Sequence, residues 1–189
     1  MSQNKHLHDY ICEIENIVPA DLCARILQEY GSTQEWRPAQ VGTNAVAKDI
    51  RNVDSLGLSM PDVIGRNQAV RKPLDDEMFA CASAAIHAYN ERFPLAKIEQ
   101  DSGYDLLRYS EGQFYKEHVD SFKAHPRAIS CSFMLNADYD GGEFAFFQKE
   151  LVYKPKTGSV LMFPSNFMYP HEILPVLSGT RYSVISWFI

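Results

Sequence analysis

The chain has 189 residues and a formal net charge of −6, with 46% hydrophobic, 22% charged and 12% aromatic residues. Such a length and composition can bury a sizeable core without covalent staples, which excludes wholesale disorder. The acidity argues against a general binder of nucleic acid or anionic membrane, and no run approaches the ~20 apolar residues of a membrane-spanning helix.

Neither an internal repeat nor a low-complexity linker divides the sequence, so residues 1–189 read as one domain. Cys12, Cys23, Cys81 and Cys131 are scattered without a Cys-x-x-Cys pair, as expected of buried or free thiols in a reducing compartment. The opening "MSQNKHLHDY" is polar and lacks a basic-then-apolar leader, so the expected location is cytoplasmic.

In chain order, "YICEIENIV" alternates like a strand, and "PADLCARILQEYG" reads as a helix with a proline and Asp21 at its start and Gly31 at its end. Residues 36–72 are irregular, with at least one strand near the start; six basic against three acidic residues make them locally cationic. They suit either surface salt bridging or a mobile segment that meets substrate. "PLDDEMFACASAAIHAYNERFP" is a strong helix, with Phe79, Ala82, Ile86, Tyr89 and Phe93 as its expected core stripe and His87 exposed or hydrogen-bonded. Beyond residue 97 the texture changes to short strands. "YDLLRYSEGQFYKEHVD" places strands on either side of a Glu-Gly turn. "AISCSFMLNADYDGGEFAFF" carries the signal of a hairpin around Asp-Gly-Gly, and "GSVLMFP" and "GTRYSVISWFI" are further strands. Helices followed by many short strands suggest an α+β protein, an antiparallel sandwich or barrel with helices outside.

His118 and Asp120 stand two apart after two aromatics, so strand alternation turns both to one face. Such a pair suits a metal or a surface hydrogen bond. With His171 as a third donor, two imidazoles and one carboxylate would leave coordination positions open, as in non-heme iron(II) oxygenases, although zinc accepts the same ligands. Arg181 follows ten residues after His171, on one strand face with Ser183, Ile185 and Trp187. A guanidinium beside a hydroxyl on an inward face is a carboxylate receptor; on an outward face it is a surface salt bridge.

The pieces "YSEGQFYKEHVD", "GGEFAFF", "KTGSVLMFPS", "PHEILPV" and "GTRYSVISWF", in that order over residues 104–189, resemble the iron(II)- and 2-oxoglutarate-dependent dioxygenases, in particular the prolyl 4-hydroxylase-like branch. "KDIRNVD" (48–54) is similar, more faintly, to the substrate-covering loop of the oxygen-sensing prolyl hydroxylases. The resemblance implies a double-stranded β-helix, or jelly-roll, supported by N-terminal helices. It implies iron ligands His118, Asp120 and His171; Arg181, helped by Ser183, holding the far carboxylate of 2-oxoglutarate; and Tyr109 near the chelating end of that co-substrate. Tyr115, Trp187, Arg127 and Arg51 become candidate substrate contacts. Met134 stands where the oxygen-sensing branch has a second tyrosine, and Arg181 where the collagen-modifying branch has a lysine.

The implied reaction consumes dioxygen and 2-oxoglutarate, releases succinate and carbon dioxide, and hydroxylates a C–H bond, with ascorbate as a possible reductant. A prolyl residue of a protein or peptide is the leading substrate. The alternatives are a free amino acid or other small molecule, and a non-catalytic jelly-roll module that only binds or senses a metal. An accessible, cation-lined cleft would favour the peptide; a closed pocket would favour the small molecule.

Overall fold

The computed structural model of the chain describes residues 5–42, 45–124 and 126–189. The first four residues of the polar N-terminal stretch therefore lie outside the described residues, as does His125. A 3-10 turn, Leu7–Tyr10, precedes β1 (Cys12–Ile14) and α1 (Ala20–Tyr30). Next come β2 (Arg37–Pro38), β3 (Arg51–Asn52), β4 (Asp54–Gly57), α2 (Pro61–Gly65) and the long α3 (Gln68–Arg92). The rest is strand: β5 (Asp105–Tyr109), β6 (Phe114–His118), β7 (Ile129–Met134), β8 (Asp140–Gly141), β9 (Phe144–Phe146), β10 (Leu151–Tyr153), β11 (Val160–Pro164), β12 (His171–Ile173), β13 (Val176–Ser178) and β14 (Arg181–Phe188).

Among the described residues these strands form a major sheet, β1-β11-β7-β14-β5-β4-β2, a minor sheet, β10-β9-β12-β6-β3, and the small pair β13-β8, all antiparallel. The side-chain period of the central strands divides the core in two. Cys131 and Phe133 of β7, with Val184 and Phe188 of β14, face α1 and α3 and join Leu22, Ile26, Tyr30, Met78, Ala82 and Tyr89. The opposite faces meet the minor sheet, where Leu107, Tyr109, Met134, Phe146, Phe163 and Ile173 pack together. Each fully buried aliphatic or aromatic side chain contributes about 1.5–3 kcal/mol, so both layers are substantial.

Several sequence expectations change. The chain from β7 to β9 is no hairpin, because β7 pairs β11 and β14 in the major sheet while β9 pairs β10 and β12 in the minor one. Asp140–Gly141 is itself a strand on β13, and Gly141 (φ 72°) is needed there because a Cβ would sit 2.3 Å from the Pro175 carbonyl oxygen. The Glu-Gly turn likewise carries the chain from one sheet (β5) to the other (β6). The opening strand is shorter than its alternation, three residues, and the chain turns at Asn16 with φ 60°. Asp21 does not cap α1; it pairs with Arg25 at 3.0 Å one turn on.

α3 begins at Gln68, so Pro73 lies inside it rather than at its first turn. Proline cannot bond the carbonyl four residues back, but that residue, Ala69, is exposed and water can serve instead. The buried face of α3 runs through Leu74, Met78, Cys81, Ala82, Ala85 and Tyr89, which leaves Phe79 58% exposed. His87 is exposed beside Glu91. Arg71, buried near the start of α3, bonds Glu29 of α1 at 2.6 Å and Glu35 at 2.8 Å and fastens the loop between them to the helix pair. All four cysteines are buried and free.

Candidate active site

The two histidines meet because β6 and β12 pair in the register His118 to His171, which sets their ring centroids 4.3 Å apart. The strand ends at His118, and a bend brings Asp120 back between the imidazoles. His118 Nε2 lies 3.4 Å from Asp120 Oδ1, and His171 Nε2 lies 3.7 Å from Asp120 Oδ2. Each imidazole has its Nδ1 on a backbone carbonyl two residues earlier, Lys116 at 2.8 Å and Tyr169 at 3.1 Å. Those contacts favour the tautomer whose Nε2 lone pair points at the common centre. Ser130 donates its hydroxyl to Asp120 Oδ2 at 2.6 Å. One ligand atom from each of the three residues falls within 4.8 Å of the others, a donor set able to hold a divalent metal.

Protonation states agree with that use. Burial and the neighbouring His118 push His171 down to about 4, so it is neutral at physiological pH. Burial acts to raise the Asp120 carboxyl, but His171, His118 and the Ser130 hydroxyl outweigh it and hold the group far below the usual carboxylate range.

Strict alternation would separate Tyr115 from His118. The β6–β12 pairing shifts register between His171 and Ile173, so three residues of β12 (171–173) oppose four of β6 (115–118). As a result Tyr115 stacks on the His118 ring, centroids 3.5 Å apart, and Arg51 from β3 covers Tyr115 at 4.9 Å.

Arg181 is 1% exposed and points into the same cavity from the major sheet. Its guanidinium lies over Tyr109 at 5.0 Å and Phe144 at 5.1 Å, reaches Ser183 Oγ at 3.1 Å and the Met134 sulfur at 3.8 Å, and leaves Nε without a partner. Among the described residues no carboxylate lies within ion-pair distance of it. A buried cation in that state is costly unless an anion joins it, so this end of the cavity fits a ligand carboxylate. The arginine-plus-hydroxyl end and the two-histidine, one-carboxylate cluster share one cavity of about 840 Å³.

Towards the mouth, the Arg127 guanidinium lies 3.5 Å from the Trp187 ring centroid and bonds the Asp120 carbonyl at 3.0 Å. All the site residues expected from the sequence, His118, Asp120, His171, Arg181, Ser183, Tyr109, Tyr115, Trp187, Arg127 and Arg51, therefore line this cavity. Sequence reasoning passed over Ser130 and Asp105, which also line it. For Ser130 a signal existed, since the strand period of "ISCSFM" puts Ser130, Ser132 and Met134 on one face.

With this geometry in place, the comparisons decide the family. The model of the 2OG-Fe(II) oxygenase superfamily matches residues 104–189. The PKHD-type hydroxylase IL0759 of Idiomarina loihiensis is 30% identical over 183 residues, covering 94% of this chain and 76% of that protein. The chain belongs to the 2OG-Fe(II) oxygenase superfamily. This oxygenase is an enzyme whose metal is iron(II) and whose co-substrate is 2-oxoglutarate. Two solved structures share its fold. A prolyl hydroxylase from Trichoplax adhaerens, in complex with a hypoxia inducible factor peptide fragment, superposes with a TM-score of 0.79 at 19% identity, over 95% of this chain and 83% of that one. A prolyl-4-hydroxylase from Pseudomonas putida gives 0.66 at 24% identity, over 95% and 92%. The expected jelly-roll with N-terminal helices is thus the observed architecture.

Proposed function

We propose that this oxygenase hydroxylates a prolyl residue of a protein or peptide, with His118, Asp120 and His171 holding iron(II) and Arg181 holding the carboxylate of 2-oxoglutarate remote from the metal. One observation carries the reading: a single cavity contains the two-histidine, one-carboxylate cluster and a buried guanidinium with no acid partner among the described residues. When bound, iron and co-substrate supply the activation of dioxygen that couples decarboxylation to succinate with hydroxylation of a C–H bond. The chain's own residues do the rest. Ser183 and Arg181 orient the diacid, Tyr109 and Phe144 wall it from water, and Ser130 holds the Asp120 carboxylate in place.

The peptide assignment draws on the cavity's shape and on its relatives. It reaches past the metal cluster to Arg37, Arg51 and Arg66, with Glu35 and Asp62 among them, an opening of mixed charge with room beyond a five-carbon diacid. The prolyl hydroxylase of Trichoplax adhaerens, with the same fold, has a peptide bound. Residues 1–189 would act as one catalytic domain in the cytoplasm, in keeping with four buried free thiols. Among the described residues no helix is long and apolar enough to cross a membrane.

The test is to incubate the protein with iron(II), ascorbate, 2-oxoglutarate and proline-bearing peptides, and to follow succinate and peptide mass. One added oxygen, about 16 Da, dependent on 2-oxoglutarate and lost in His118→Ala and Asp120→Ala, is expected. Modification of free L-proline in preference to every peptide would replace the peptide reading with the small-molecule one.

A further inference from the structure

Inward rows of side chains lead away from Arg181 along the floor of the cavity. Register sets Arg181 beside Tyr109, then Ser183 beside Leu107 and Met134, then Ile185 beside Asp105 and Ser132. At the rise of a strand, Asp105 lies about 13 Å along β5 from Tyr109. Trp187 comes next, beside Ser130, which carries Asp120. Asp105 therefore belongs to the outer half of the cavity, on the metal's side and away from the diacid anchor.

The Asp105 carboxylate lines the cavity and is partly exposed there. Among the described residues it makes no hydrogen bond and no ion pair. Arg51 and Arg127 act on it only through space, because their own hydrogen bonds go to the Gln40 and Asp120 carbonyls. Burial pushes the carboxyl up from its ordinary value, the mark of an acid short of partners. Across the sheet its partner is Gly57, where a Cβ would meet Met60 Cγ at 2.5 Å and Asp105 Oδ1 only at 3.4 Å. A partly exposed carboxylate that lines the cavity, with no donor among the described residues, can accept a hydrogen bond from a ligand there.

The surroundings select the ligand's chemistry. Two guanidinium groups face the same space, so a lysine or arginine side chain arriving there is repelled, whereas a neutral N–H is not. We infer that Asp105 is a substrate-positioning residue whose carboxylate accepts a main-chain N–H of an extended peptide lying across the metal cluster, while Arg127 and Arg51 face the peptide's carbonyl oxygens. Resting on the prolyl-peptide reading, this assigns the donor to a residue flanking the target, since an internal proline has no N–H. Selection at that flank is by backbone and tolerates many side chains.

The experiment uses a library of peptides with a fixed central proline and randomised neighbours, each flanking amide present either as amide or as ester. Wild type, Asp105→Ala and Asp105→Asn are compared by mass spectrometry of hydroxylated products, with KM and kcat for a preferred member. One ester position should raise KM about tenfold in wild type and leave Asp105→Ala unmoved. Asp105→Asn, which keeps an acceptor oxygen, should restore most of the alanine variant's lost KM, and residue preferences should be the same in all three. Equal sensitivity to every ester in wild type and Asp105→Ala overturns the inference, as does a lysine or arginine preference that vanishes in Asp105→Asn. Should wild type modify no member, the prolyl reading fails by itself. Capture of the same library on manganese(II)-loaded protein then decides: retention lost in Asp105→Ala and regained in Asp105→Asn supports the assignment, and equal or absent retention overturns it.

Discussion

Ser130 Oγ stands 2.6 Å from Asp120 Oδ2 and 2.8 Å from Ser165 Oγ, so a buried pair of hydroxyls orients the carboxylate of the two-histidine, one-carboxylate cluster. Outer partners of this kind typically affect metal affinity 10–100-fold. Ser130→Ala should weaken manganese(II) binding, measured calorimetrically, by about that factor while the far-ultraviolet circular dichroism is retained. Unchanged affinity would make the hydroxyl a packing feature only.

Arg181 sits at the closed end of the cavity without an acid partner among the described residues. Truncating one partner of a buried charged pair costs about 2–5 kcal/mol. Arg181→Ala should therefore raise the 2-oxoglutarate requirement by well over tenfold, and Arg181→Lys should recover only part of it because one ammonium cannot grip both oxygens. Titration of co-substrate against succinate release measures this; an unmoved requirement removes the anchor assignment.

Acid stability should depend on the Arg71 cluster. Hydrogen bonds from Arg71 hold the Glu35 carboxyl below its ordinary value of 4.5 despite burial. A depressed acid binds its proton later in the folded chain, so its contribution is fully present above the unfolded value and fades as pH falls through the folded one. The thermal midpoint of Glu35→Gln should lie below wild type at pH 7, and the gap should close in acid. Removing the arginine leaves two partly buried glutamates without their donor, so Arg71→Ala should cost about 1–3 kcal/mol in urea unfolding.

Asp105 has the opposite sign. Its carboxyl is raised in the folded chain, so folding favours the protonated form and stability falls as pH rises through the folded value, moderated by Arg51 and Arg127. Asp105→Asn should stabilise the protein by on the order of 1 kcal/mol at pH 7, about 2–4 °C in midpoint, and should give little at pH 3. A variant less stable than wild type at pH 7 would mean that the acid has a partner in the fold.

Motifs that run along one strand are legible in the amino-acid sequence. The period of "RYSVISWF" sets Arg181 and Ser183 on one face, and the order His118, Asp120, His171, Arg181 names the chemistry, because side-chain alternation and metal-ligand preference belong to the local chain. Which strands pair is not legible there. The Asp-Gly-Gly segment looks like a hairpin turn, yet β7 and β9 enter different sheets, and the bulge that lays Tyr115 on His118 exists only between β6 and β12. Ser130 beneath Asp120, Asp105 opposite Gly57 and Phe79 turned to solvent depend on the same packing. Local sequence sets what each side chain can do and which way it alternates. The choice of neighbour is made by the whole chain as it buries two cores at once, and only that choice made these residues part of one site or left them out of it.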